Sequence, residues 1–522
     1  MTPTALAVAL SLALAGAREP ATSRGTDTAD PSLHYALRMS QRAMRNALRM
    51  PANGALRVEP HSPHDTLPVT SCADDGGAGT LRSVIAAATE GDVVDLGALD
   101  CTTITLTQGV IDLSVLGPHP IHDLAIVGPG ADALTIDGNG DRVFAHGDFQ
   151  IGLGTLAISD LAIANGNSTL GLASCIDSSG HVALKRAVVS GCKASGGAPL
   201  TFGGAVSAAY LDMASSTIAD SRSAASGDNV AVGAGAYVSG DATIVGSTIS
   251  GNVTIAQSGG DGTYYLTGGG GIYVRGALEM STSTVTNNSV ITYHNPVGPG
   301  GGVFVRGDAD VSYSTFDRNL ASTGGAIEKA VFSHYGDPGT TLAIANSTIY
   351  LNGAYYAGGA IRTVRPTSLA NVTISRNNSG FSIGGVACFG SDVTLELESS
   401  ILAWNHTGDT KYTYSDLASY EALTVGGTRN IVLVASYNIA LPGDTLDTDP
   451  ALGPLIDNGG PTATMAPTMG SPAIDAGNDT LGLAFDQRGF GFPRVSGWRA
   501  DIGAFEVQRG PPNDSIFVGD FD

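Results

Sequence analysis

The chain has 522 residues, of which 71 are Gly, about twice the usual share, and 48 Asp and Glu against 26 Lys and Arg give a formal charge of -22. Without a third-residue Gly period it is not collagen, and at 43% hydrophobic residues it can bury a core. Clustered cations, which nucleic acid requires, and Ala-Leu-Glu-Lys patterns, which a helical majority requires, are both missing, and a Gly-rich, acidic, β-rich repeat chain is left.

Residues Ala5–Ala15 form a short apolar run followed by Ala15-Gly16-Ala17. Its length suits a signal-peptide core and falls short of a membrane span, so residues 1–17 are expected to be a cleaved export signal. No later segment is apolar for long enough to form a transmembrane helix. Residues 18–68 carry Arg38, Arg42, Arg45 and Arg49 beside Leu33, Leu37, Met44 and Leu48. Two explanations stay open for this partly helical stretch: a solvated linker or pro-segment, or a basic amphipathic helix for an anionic membrane.

Residues 69–110 are expected to cap a solenoid at its N-terminal end. Within them Gly79–Asp92 predicts a short amphipathic helix with Leu81, Val84, Ile85 and Ala88 on one face. Alternating runs follow at DVVDL, TITLT, LAIVG, LTIDG and LAISDLAIANG, with the period of two that strands show. From there to residue 440 one grammar repeats: Gly-rich start, short β run, second β run ending in Ser-Thr-aliphatic, then Asn.

Aligning the aliphatic residue after each Gly run yields a column: Ile176, Val206, Ala236, Ile272, Val303, Ile327, Ile361, Val386. A second column closes the units: Cys192, Ser221, Asn252, Asn288, Asn319, Asn352, Asn377, Asn405. A unit this small must stack on its neighbours to bury its apolar face. Gly at one corner supplies positive φ, and Asn at another is expected to take a left-handed backbone and bond to the Asn of the next coil. The architecture that fits is all-β, a single-stranded right-handed parallel β-helix over residues 111–440, capped at both ends. A β-propeller lacks its blade length and Trp-Asp signature. Residues 441–507 are Pro- and Gly-rich and are expected to form the C-terminal cap, and 508–522 a flexible tail.

Five cysteines suit an oxidising compartment. Cys72 and Cys101 flank one N-terminal unit and Cys175 and Cys192 lie close in sequence, which suggests two disulfides and leaves Cys388 odd.

The C-terminal stretch contains Asp457-Asn458-Gly459-Gly460-Pro461-Thr462, Ser471-Pro472-Ala473-Ile474-Asp475-Ala476-Gly477, Asp486-Gln487-Arg488-Gly489 and Asp501-Ile502-Gly503-Ala504-Phe505-Glu506. Together these resemble the choice-of-anchor Q domain of bacterial secreted β-helix proteins, and Ser71–Val94 looks like the opening domain of that family. The resemblance covers about residues 70–507. It implies a pectin-lyase-like β-helix displayed on or released from the bacterial surface, generally without a known activity. Phe316-x-x-Asn319 followed by Gly324-Gly325-Ala326-Ile327 is similar to repeat motifs of polymorphic outer-membrane proteins, which are adhesins and autotransporters, although the ten-residue alternating strands of their barrel are not found here.

The fold also hosts polysaccharide lyases and hydrolases, and fold alone does not choose between roles. One residue after the aliphatic column, an outward column reads Asp177, Ser207, Tyr237, Tyr273, Phe304, Glu328, Arg362, Ala387. With coils about 4.8 Å apart, Glu328 and Arg362 would be neighbours and candidate catalytic or uronate-binding groups. Tyr237, Tyr273 and Phe304 would form a sugar-stacking strip, with Arg275 and Arg306 as a matching basic pair. The reading preferred on the sequence is that the same residues serve as an aromatic ladder ending in a surface salt bridge. Asp444, Asp447 and Asp449 could bind calcium, the one cofactor considered, or could belong to a solvated turn. The paired-Asp, Gly-His-Gly and Arg-x-Lys set of polygalacturonases is missing. Two functions are therefore carried forward: an exported, monomeric surface or extracellular β-helix that binds glycans or serves as structure, and a lyase or hydrolase acting on an acidic polysaccharide.

Overall fold

The structure is a computed structural model, and it describes residues 65–509 apart from 116–120, 148–153, 197–199, 227–229, 257–266, 294–297, 331–338, 391–392, 409–412 and 437. The chain divides into Met1–Gln41 and Arg42–Asp522, and every described residue belongs to the second unit. The export signal at 1–17, the Arg-rich stretch of 18–68 up to residue 64, and the tail beyond Arg509 lie outside the described residues.

One coil shows how sequence becomes structure. After its Gly-rich corner the chain runs through Ile176–Ser178, His181–Lys185, Val188–Ser190 and Lys193–Gly196, and the next coil repeats this as Val206–Ala208, Tyr210–Ala214, Thr217–Ala219 and Arg222–Ala225. Each strand pairs in parallel with its counterpart, Ile176 beside Val206, Val182 beside Leu211 and Val189 beside Ile218. Three ladders result among the described residues. A Gly-led sheet has 11 strands, one per turn, a long sheet bent along its middle has 24, and an Asn-led sheet has 10. The chain is a parallel β-helix. Both aligned columns of the sequence hold in the register, since Ile272, Val303, Ile327 and Ile361 stack in order and are buried. Alternation does this: every second side chain points inward, so like stacks on like in one continuous core.

The corners divide their chemistry by position. At the Gly corner the first Gly turns the chain, as Gly300 does with φ 70°. The second is needed for contact, because a Cβ on Gly301 would lie 2.5 Å from the Gly325 carbonyl oxygen of the next coil. The Asn corner departs from expectation. The left-handed residue is the one before the ladder Asn, as at Asn287, Arg318, Leu351, Arg376 and Trp404. The Asn itself turns inward. Asn288 Nδ2 donates to Asn319 Oδ1 at 3.0 Å, Asn319 to Asn352 at 2.9 Å, Asn352 to Asn377 at 2.9 Å and Asn377 to Asn405 at 2.8 Å. Each Asn Oδ1 also accepts the backbone N–H of the preceding coil's Asn. The ladder ends on Asp416, which accepts from Asn405 N and Nδ2, both at 2.8 Å.

A second polar ladder runs along the bend of the long sheet. Ser247 N donates to Ser283 Oγ, Ser283 N to Ser314 Oγ and Ser314 N to Ser347 Oγ, each at 3.1 Å. This is the structural meaning of the recurring Ser-Thr-aliphatic signature.

At the N-terminal end the helix Leu81–Ala87 is capped by Thr80 and buries Leu81 and Ile85 against the first coils. Asp74 fastens it, taking two hydrogen bonds from Arg82 at 2.8 and 3.0 Å and two from the backbone of Thr107 and Gln108. Parallel pairing already begins at Thr66–Pro68, which lies beside Val93–Asp95. Cys72 is joined to Cys101 and Cys175 to Cys192, while Cys388 is free and buried.

The C-terminal segment is laid along the outer flank of the solenoid, beside the bend of the long sheet. Gln487 takes a 2.6 Å bond from Thr348 and donates to Thr315 and Thr462. Gly503 N bonds the Ser399 carbonyl at 2.7 Å, and Ala504 N bonds Thr373 Oγ1. Leu452, Met465, Ala473 and Ile502 cover the outward Ile401, Ala403 and Ile431. The last coils are closed by Leu423, Val425 and Val432 with Ala435, Ile439 and Leu441 packed against them.

Candidate functional site

The outward column of the Gly-led sheet is in the expected register: Tyr237 beside Tyr273, Tyr273 beside Phe304, Phe304 beside Glu328 and Glu328 beside Arg362. The rings stack, with centroids 5.7 Å apart for Tyr237–Tyr273 and 4.6 Å for Tyr273–Phe304. They do not form an exposed sugar-stacking strip. Tyr273 is 3% and Phe304 1% exposed, because they pack in a small second core with Val230, Val232, Leu200 and Phe202. Those four residues come from two short extra strands, Leu200–Phe202 and Val230–Val232, inserted between the Asn-led and Gly-led sheets. Burial pushes the Tyr273 phenol well above its ordinary range, and it keeps a hydrogen bond with Arg306, as Tyr237 does with Arg275. Arg275 and Arg306 thus satisfy phenol oxygens of the ladder.

Glu328 and Arg362 form an ion pair. It is no surface salt bridge, since the Glu328 side chain is 1% exposed. Burial raises the Glu328 carboxyl above its ordinary range, and Arg362 partly offsets this. The guanidinium also lies over Phe389, 4.6 Å from the ring centroid, and Phe389 stacks on Tyr420 at 4.6 Å. The outward stack thus runs through three rings, an ion pair and two further rings. A carboxylate enclosed in this way cannot reach a glycosidic oxygen on a polymer lying outside, which general acid catalysis demands.

Of the three calcium candidates, Asp449 closes a local turn and Asp444 bonds backbone of an earlier coil. Asp444 accepts from Arg429 N at 3.1 Å and Asp449 from Ala451 N at 2.7 Å, while Asp447 is exposed. Among the described residues no group of three His, Cys, Asp or Glu is placed to hold a metal ion.

Three of the four C-terminal motif pieces, all but 457–462, converge on one largely buried ionic knot. Arg488 bonds Asp486 and the Glu506 carbonyl, Glu506 N bonds Asp486 Oδ2, and Asp475 N bonds Asp501 Oδ1. Arg494, wholly buried, stands 3.9 Å from Glu506 Oε2. Burial pushes the Glu506 carboxyl up to about 7 and raises Asp501 as well.

Two surface features have no counterpart in the sequence-derived candidates. On the long sheet, Glu279 and Asp310 are register partners on the outward side. On the Asn-led sheet, Tyr355 is 49% and Phe381 65% exposed, with ring centroids 4.9 Å apart, and Tyr356 completes the cluster. Their signal was present as aromatics three or four residues beyond a ladder Asn, at Asn352 and Asn377.

Against protein families, curated proteins and solved structures, the chain has no match.

Proposed function

We propose that the chain is an exported bacterial β-helix, of the kind that choice-of-anchor Q proteins represent, and that it works by glycan binding or as structure at the cell surface or in the extracellular matrix. The observation that carries this is the enclosure of Glu328, since the carboxylate expected to do chemistry is stacked and ion-paired inside a ladder. Two disulfides support an oxidising compartment. The test is incubation with polygalacturonate, alginate and chondroitin, with and without calcium. No release of unsaturated or reducing ends is expected, and release would overturn the proposal. In the purified, denatured protein, thiol titration should find one free cysteine, and five would remove the argument for export.

One observation favours the alternative, a polysaccharide lyase or hydrolase. Glu279 and Asp310 place two outward carboxylates on adjacent coils, about 4.8 Å apart by strand spacing, near the separation used by retaining glycosidases. Product release that vanishes in both Glu279→Gln and Asp310→Asn would establish that function.

A further inference from the structure

We infer that the outward face of the Asn-led sheet is a binding strip for an uncharged, linear polysaccharide, with Tyr355 and Phe381 as its stacking platforms. The inference rests on the binding role proposed above and supplies its site and ligand class.

Four successive coils contribute. Ser289–Thr292, Leu320–Thr323, Gly353–Ala357 and Asn378–Ser379 pair in parallel in that order. From them, or just beyond them, Tyr293, Leu320, Tyr355 and Phe381 stand 63%, 54%, 49% and 65% exposed. On a described surface where Tyr273 and Phe304 are buried by inserted strands, no such strands cover these rings. Gly353 leaves a gap in the column: a Cβ there would lie 2.9 Å from Leu320 Cδ1 and 2.8 Å from Asn378 Oδ1. The side chains of Leu320 and Asn378 therefore lean toward the glycine from the coils on either side of it.

The occupant follows from shape and charge. The four exposed side chains span three coil steps, about 14 Å along the solenoid axis. Tyr293 is set four residues along its coil, and Tyr355 two, from the column that joins Ser289, Leu320, Gly353 and Asn378, a patch wide enough for a short run of sugar units. Residues 289–293, 320–323, 353–357 and 378–382 contain no Asp, Glu, Lys or Arg, in a chain whose formal charge is -22. A polyanion would meet repulsion from the rest of the molecule with no cation within these four segments to offset it, since Lys193 and Arg222 stand on the same sheet but at least two coils before Ser289. A neutral glycan meets none. Its apolar ring faces stack on aromatic rings, and its hydroxyls meet an uncharged rim that includes the exposed Asn378 amide. The rings are held for this: Tyr355 packs edge-on against Tyr356 at 4.8 Å, and the hydroxyls of Ser379 and Ser382 both bond the Tyr356 carbonyl at 2.8 Å.

The test is affinity electrophoresis of the full chain in gels containing laminarin, xylan, mannan or soluble cellulose, with alginate and polygalacturonate alongside. Retardation is expected in at least one neutral gel, unchanged by added salt, and reduced at least about tenfold in affinity by Tyr355→Ala with Phe381→Ala, the scale of one or two stacked rings. Phe381→Trp should restore binding in the Tyr355-intact chain relative to Phe381→Ala. Both positions are surface-exposed, so far-ultraviolet dichroism and melting temperature should match the parent. Retardation undiminished in the double variant would overturn this site while leaving a glycan-binding role in place. Retardation by the anionic polymers alone would overturn the ligand class. No retardation in any gel would overturn the inference, whereas the broader proposal falls only if ends are released from a polymer.

Discussion

At the scale of single residues, polar side chains inside the solenoid do the work of register. Asn319 is wholly buried and gives or takes hydrogen bonds with Asn288, Asn352 and the Val285 carbonyl. Truncating it strands donors and acceptors on three coils. Asn319→Ala should therefore cost about 2–4 kcal/mol, from one or more buried groups left unsatisfied, read as a shift in urea midpoint. Its neighbour type behaves differently. Asn287 holds φ 55° at the bend, so Asn287→Gly should change stability by no more than about 0.5 kcal/mol. A large loss in Asn287→Gly and none in Asn319→Ala would contradict the division of labour between the two. Glu328 belongs to the same scale. Glu328→Ala leaves Arg362 in the stack without its counter-charge, and about 3–5 kcal/mol should be lost in the same assay.

At the scale of elements, the C-terminal segment is where acidity enters. The Glu506 carboxyl, raised by burial to about 7 from an ordinary 4.5, keeps its proton in the folded state after the unfolded chain has lost it. Asp416, at the end of the Asn ladder, is likewise raised to about 7 from 3.8, by burial that outweighs three hydrogen bonds from Asn405 and Val434. The sign follows from proton linkage: in that window the folded chain binds more protons, so stability is highest below the unfolded values and falls as pH rises toward 7. The melting temperature should be higher at pH 5 than at pH 8. Glu506→Gln should flatten that slope, and an unaltered slope in this variant would remove Glu506 from the explanation. Much of this element was legible beforehand. Its motif residues stand in the sequence, but which surface they lock against does not, because Gln487 finds Thr315 and Thr348, and Thr462 the Tyr313 carbonyl, only after 139 or more residues of coiling.

At the scale of the whole molecule, the flank segment and the coils share one apolar seam. Deleting residues 448–509 would expose Ile401, Ala403 and Ile431 and would uncover Trp404 and Tyr350, which pack at its edge. The truncated chain should keep its β-type dichroism and bind a hydrophobic dye that the parent does not. Loss of all β signal would mean instead that the coils cannot stand without the segment.

Periodicity is a local property, and here it was enough. Because each coil repeats the last, the spacing of Gly, aliphatic and Asn positions already fixes the stacking register, and the outward column from Tyr237 to Arg362 falls in register as the spacing implies. The two disulfides came from the same local logic. Alternation says which side chains leave the core, however, and is silent on what covers them afterwards. Tyr273 and Phe304 point outward and are buried by strands inserted more than 40 residues earlier, whereas Tyr355 and Phe381 point outward and stay in solvent. Periodicity alone thus determined the β-helix. Tertiary packing decided which of its aromatic surfaces is free to meet a ligand, because burial depends on distant insertions that no repeat encodes.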